Sequence, residues 1–193
     1  MSITYLYTDS LKRLVPRTDT LNVLAKLTYD KQQKQKQEEW VLLGYGFESL
    51  DEEPGAQIDT TCYINDETTS SSVTKYETKF PYVSEMIPDE KGIKNLWSTG
   101  RNHEVGTAAE RDFIRVDMYD PVSGSEGTYQ ARKFRVSNEV SKFSGDGGEK
   151  LKVEGSLNAK GKIVQGTFNV KTKTFTATQA ATQSNTAKEN TVN

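Results

Sequence analysis

The sequence predicts a mainly β protein: an antiparallel β-sandwich or partial barrel with one short flanking α-helix. Three observations carry this. The block Thr128 to Thr176 alternates apolar and polar residues between glycine-rich clusters. Shorter runs with the same period recur upstream of it. One segment, Pro88 to Gly100, has helical spacing instead. Period-2 alternation sets one face of a strand toward a core and the other toward water. Short links between such runs favour antiparallel hairpins over crossovers.

Taken in order, Leu21 to Tyr29 and Trp40 to Phe47 read as strands. Between them Asp30–Glu39 holds no apolar residue and is expected as a solvated arm. Gln57 to Ile64 reads as a strand with Ile58, Cys62 and Ile64 on one packing face, and Cys62 is expected buried. Val73 to Tyr82 reads as a strand ending near Pro81. Ile93, Leu96 and Trp97 sit at i, i+3 and i+4 and form the core stripe of a helix lying across the sheet. Asp89 and Glu90 are expected in its first turn and Gly100 at its cap. Phe113 to Tyr119 is a strand closed by Asp120-Pro121. Downstream, 133–140, 150–157 and 164–171 read as three consecutive strands. Turns are expected at Ser144–Gly148 and Asn158–Gly161, where glycine adopts positive φ at no steric cost. Residues 1–175 are expected to form one β domain with long loops or arms at 30–39 and 48–72, and 176–193 a polar C-terminal tail.

Composition narrows the chemistry. The 193 residues are 34% hydrophobic, with a mean hydropathy of −0.72 and a net charge of −2. No apolar run approaches the roughly 20 residues of a membrane helix, and no secretory signal is expected at the N-terminus. One cysteine, Cys62, forbids an intrachain disulfide and points to a reducing cytoplasm during synthesis. The lone histidine, His103, excludes multi-histidine metal sites and sits in no catalytic pattern. Gly155 to Lys162 imitates a phosphate loop but has the wrong spacing and lies between strands. Gly145–Glu149 lacks calcium-loop spacing, and the carboxylates of 48–53 read as an exposed acidic loop rather than a glycosidase pair. No catalytic residue, metal or cofactor is expected. The sequence reads as a self-associating structural protein.

At the C-terminal block the order of motifs becomes specific. Thr128-Tyr129-Gln130-Ala131-Arg132-Lys133-Phe134-Arg135-Val136, Phe143-Ser144-Gly145-Asp146-Gly147-Gly148-Glu149-Lys150-Leu151, Gly155-Ser156-Leu157-Asn158, Gly166-Thr167-Phe168 and Thr174-Phe175 follow one another. With Asp89 to Leu96, Val105-Gly106-Thr107 and Arg115-Val116-Asp117, this series resembles the major tail protein of long-tailed phages of Gram-positive hosts, from about Thr78 to Thr176. The resemblance implies a tail-tube-like fold and a virion tail protein synthesised in the host cytoplasm. It implies six copies in a ring whose sheets join into an inner β-barrel. The rings would stack as the tube of a long flexible tail that conducts DNA into the host cell. It also implies tape-measure and tail-terminator partners. DNA would pass without specific binding, and no membrane is involved. Two other readings stand beside it: a β-sandwich module binding carbohydrate or a receptor, and the tube protein of a contractile injection apparatus.

Charge is unevenly spread along the chain. Nine carboxylates and no Lys or Arg lie between Gln37 and Thr74, whereas ten basic residues face four acids between Tyr129 and Phe175. Rings and stacks need two different complementary surfaces on each subunit. The expectation is that Glu48, Asp51, Glu52 and Glu53 meet the Arg132, Lys133, Arg135, Lys150 and Lys152 side of a neighbour. Strand-borne Asp59 is a candidate for the lumen, where a carboxylate would repel phosphate. The arm 30–39 and the loop Asp66 to Ser72 are expected to order on assembly.

Overall fold

The computed structural model describes residues 20–29, 36–62, 64 and 67–178. Its main sheet is antiparallel throughout, in the order β2-β1-β7-β8-β9-β6-β3. These strands are β1 (Thr20–Tyr29), β2 (Lys36–Leu43), β3 (Phe47–Leu50), β6 (Lys79–Glu85), β7 (Glu110–Pro121), β8 (Thr128–Ser144) and β9 (Lys152–Asn169). A last short strand, β10 (Thr174–Ala177), pairs with β9. Two strands stand apart as their own hairpin, β4 (Ala56–Thr61) and β5 (Ser70–Tyr76). One helix, α1 (Lys91–Arg101), flanks the sheet.

The sheet nearly closes on itself. β2 and β3 lie at opposite ends of the strand order, yet only Gly44 to Gly46 separate Leu43 from Phe47. The two edges therefore meet at this corner, where the Phe47 N–H donates to the Gly44 carbonyl at 3.1 Å. The run expected as one strand, Trp40 to Phe47, is thus split by a turn. Strand β2 begins at Lys36, so the last four residues of the expected polar arm belong to the sheet. Asp30 to Gln35 lie outside the described residues, as do Asp66 and the tail beyond Thr178.

Alternation on β1 and β7 serves two cores, one on each face. Leu24, Phe113 and Phe134 point into the first, with Leu43, Leu50, Phe80, Tyr82 and Leu157. Phe80 meets Phe113 and Phe134 at ring distances of 4.7 and 4.9 Å, inside the range where aromatic pairs attract. Val23, Ile114 and Val116 point the other way, with Trp40, Ala131 and Phe168. The Trp40 and Phe168 rings are 6.3 Å apart although three strands separate them in the sheet, so the sheet coils strongly toward that face.

Three expectations about breaks in the strands are corrected. Asn158–Gly161 is not a turn: β9 runs through it. The register with β8 steps from Lys133↔Val164 to Arg135↔Lys160, which leaves extra residues on β9, and Gly161 sits at φ 72°. Glycine here bends the strand instead of reversing it. A bulge of this kind lets one strand serve two layers. The N-terminal half of β9 pairs with β6, and the C-terminal half with β10. Val73 to Tyr82 is not one strand: it breaks at Glu77–Thr78 into β5 and β6. Nor does Pro81 end β6. Its carbonyl accepts the Asp51 N–H at 3.0 Å, so its missing donor faces short edge strand β3, where a proline is tolerated.

Helix α1 buries Gly92, Ile93 and Leu96 against the sheet, and Trp97 packs half-buried beside the first core under the Arg101 guanidinium. Its caps differ from expectation. The helix begins at Lys91, with Glu90 at the N-cap and no acid in the first turn, and ends at Arg101 with Asn102 as its C-cap. Gly100 is instead a contact point: a Cβ there would lie 2.6 Å from the Cβ of Val140 on β8. Buried Arg111 ties helix to sheet. Its Nε donates to Asn95 at 2.8 Å, and its terminal nitrogens to Thr99, Glu104 and the carbonyls of Ala108 and Glu110. All five guanidinium donors have acceptors, which is what makes a buried arginine tolerable.

Candidate assembly surface

The β4–β5 hairpin leaves the body between β3 and β6. Its register pairs Ala56 with Tyr76, Ile58 with Val73 and Thr60 with Ser71. Directly paired residues share a face, so Ala56, Ile58, Val73 and Tyr76 line one side. Asp59, paired with Ser72, lies on the other. The hairpin is amphipathic, yet every residue of both strands is exposed. Ile58 is 65% exposed, Tyr76 63% and Val73 51%, and Ile64 near the tip is fully exposed.

This corrects the expectation that Ile58, Cys62 and Ile64 pack inward: Cys62 is exposed with them. Alternation reveals which residues share a face, not whether the same chain covers it. An isolated two-stranded hairpin is marginal in water. Here it is helped by short side chains, with Thr74 Oγ1 donating to the Gln57 carbonyl at 3.2 Å and a Thr60–Ser71 hydroxyl contact of 3.3 Å.

The hairpin's root is tightly built. Glu53 and Lys79 exchange two backbone hydrogen bonds of 2.9 Å, and the Glu77 N–H donates to the Gly55 carbonyl at 3.0 Å. Gly55 has φ 64°, and a Cβ would collide with the Glu77 carbonyl, so only glycine fits. Beside it, Arg132 forks onto Glu52 with donor distances of 2.6 and 2.9 Å, and Arg115 Nε adds a third contact at 3.1 Å. The Glu52 bonds hold the Arg132 guanidinium more firmly protonated than usual. Close by, burial raises the Asp117 carboxyl, and Arg132 and Arg115 offset only part of that rise.

The remaining charges also meet within the chain. Lys152 pairs with Glu48 at 2.8 Å and Lys150 with Glu85 at 2.7 Å. Lys133 pairs with Asp112 at 3.0 Å and lies over the Trp40 ring, 5.4 Å from its centre. Arg135 reaches Asp112 at 2.8 Å and Glu110 at 3.1 Å. All five cations expected to face a neighbouring subunit thus have an acid in their own chain. Asp51 and Glu53 stay exposed on the acidic loop. Sequence reasoning missed Glu85, Glu110, Asp112 and Arg115 because alternation locates residues on strands without saying which strands adjoin. Among the described residues, no three His, Cys, Asp or Glu side chains converge as metal ligands, and no helix is long and apolar enough to cross a membrane.

No protein-family model matches this chain, and no curated protein matches it. Solved structures similar to it in part include the following three. The first is the sheath/tube terminator of an extracellular contractile injection system, PVC, in its extended state. It shows 13% identity and a TM-score of 0.47 over 81% of this chain and 99% of that one. The tube-terminating cap of the anti-feeding prophage shows 11% identity and a TM-score of 0.48, over 82% and 96%. A chain of the PVC sheath-tube complex shows 10% identity and a TM-score of 0.47, over 80% and 93%. No family and no function follow from likenesses at this level.

Proposed function

We propose that this chain is a structural subunit of a phage-type tail tube, built by self-assembly into rings that stack. The observation that carries the reading is the β4–β5 hairpin. It presents Ala56, Ile58, Val73 and Tyr76 to solvent on an arm that none of the described residues covers. A stripe of that kind is a docking element, and the receptor we assign to it is another copy of the chain. A hairpin on one copy seated on a different surface of the next is a heterologous contact, which generates rings and stacks. The ring of six, the conduit for DNA ejection and the tape-measure and terminator partners come from the family resemblance of Thr78 to Thr176. The polar face of the hairpin, with Asp59, suits a lumen that DNA slides past. The exposed acids Asp51 and Glu53 are its accompanying subunit contacts.

Electron microscopy of the purified protein at rising concentration tests this. Hollow tubes are expected from the native chain. Replacing Ile58 and Val73 together by serine should abolish them while leaving the melting temperature of the body within a degree or two, because exposed substitutions typically change stability by less than about 0.5 kcal/mol. Persistent monomers at high concentration would overturn the reading. Rings that form but never stack would make the protein a terminating piece rather than a repeating one.

A further inference from the structure

We infer that Glu52 is the positioning residue of the hairpin arm, an ionic latch that fixes the arm's direction relative to the sheet. The inference rests on the reading of the arm as the docking element and adds what aims it. Backbone hydrogen bonds at Glu53–Lys79 and Gly55–Glu77 join the two sides of the root to each other. They leave a two-stranded ribbon able to swing about its base. Glu52 precedes that base by one residue and sends its carboxylate into the body. It meets two guanidiniums from adjacent central strands, Arg115 of β7 and Arg132 of β8, which pair directly in the sheet.

The geometry is that of an anchor. Arg132 engages both carboxylate oxygens in a fork, which fixes orientation as well as distance. The Glu52 side chain is 18% exposed and that of Arg132 27%, so salt screens the contact less than it would a surface pair. On the return side, Glu77 turns to Lys75 within the arm, at 2.6 Å. The acid expected to bridge subunits is therefore engaged inside one, and it governs assembly by aiming the arm. A misdirected arm keeps its apolar stripe but presents it at the wrong angle to the next copy.

The single native cysteine lies on the arm, which allows a direct test. Full-length protein carrying Lys142→Cys on the body and native Cys62 takes two spin labels, and pulsed electron resonance in dilute solution reads the distance between them. A narrow distribution is expected with Glu52 present. Glu52→Gln should broaden it at least twofold, with the thermal unfolding of the body shifted by no more than a few degrees. Arg132→Lys, which keeps the charge and loses the fork, should give an intermediate width. It serves as the readout if Glu52→Gln does not fold. Unchanged width in the folded variants would overturn the latch. This measurement needs no tubes, so a latch that aims the arm in a protein that never polymerises would separate this inference from the assembly reading.

Discussion

Single side chains in this fold decide between opposing terms of similar size. Gly100 sits in the last turn of α1, where alanine would ordinarily add about 1 kcal/mol of helix stability. The added methyl would press on all three side-chain carbons of Val140, at 2.6 to 3.0 Å. Overpacking of this kind costs about 1–3 kcal/mol, so Gly100→Ala should lower the melting temperature rather than raise it. Asp112 and Asp117, on one strand but opposite faces, make a paired test. Burial alone would raise the Asp112 carboxyl, but bonds from Arg135 and Lys133 outweigh it and hold it below the ordinary carboxylate range. Its ionised form therefore stabilises the fold above the unfolded value near 3.8, and that contribution is lost as pH falls through the lowered folded value. Asp117 is shifted upward, so its ionised form costs stability at neutral pH. In thermal melts at pH 7, Asp112→Asn should destabilise and Asp117→Asn should stabilise. The same direction for both would refute the assignment.

At the scale of elements, β10 is held by one close approach. Gly166 on β9 leaves room for the Phe175 ring and the Thr176 carbonyl to lie directly over it, and Phe175 joins the second core there. Gly166→Val should release β10 alone. Hydrogen exchange would show faster amides at Thr174 to Ala177, with β6 and the N-terminal half of β9 unchanged. The elements also mark where sequence reading succeeded and where it stopped. β7, β8, both halves of β9 and the stripe of α1 were legible, because burial on one face writes a period into the chain. The bulge at Gly161 was read as a turn, since glycine marks a change of direction without stating its angle. Ile58, Cys62 and Ile64 were read as a packing face for a related reason. Ile58 and Ile64 alternate as core residues do, and only the fold reveals that they are exposed, with none of the described residues covering them.

Across the whole molecule, charge that looks two-sided along the sequence is folded together. Glu48 and Glu52 lie far from Lys152 and Arg132 in sequence and within 3 Å in space. If the proposed assembly holds, the surface offered to a neighbour is carried more by the apolar hairpin than by net charge. Assembly should tolerate salt: raising ionic strength from 0.1 to 1 M shortens the screening length from about 10 to 3 Å, yet tube yield measured by sedimentation should hold or rise. Collapse of yield at high salt would return the contact to the charged residues.

Sequence-adjacent β8 and β9 touch both cores, and every earlier strand of the main sheet connects to the sheet's centre through them: β7 on β8, β1 on β7, β2 on β1, β6 on β9 and β3 on β6. The order of synthesis runs the other way. β1, β2 and β7 can pair with one another, and β3 with β6, before β9 is made, but in the strand order β6 and β3 join the rest of the sheet only through β9, and that long-range closure is costly. The main sheet is thus completed only when β9 is available. Nascent chains halted before Lys152 should remain sensitive to protease, and protection should appear in one step once β9 has cleared the ribosome.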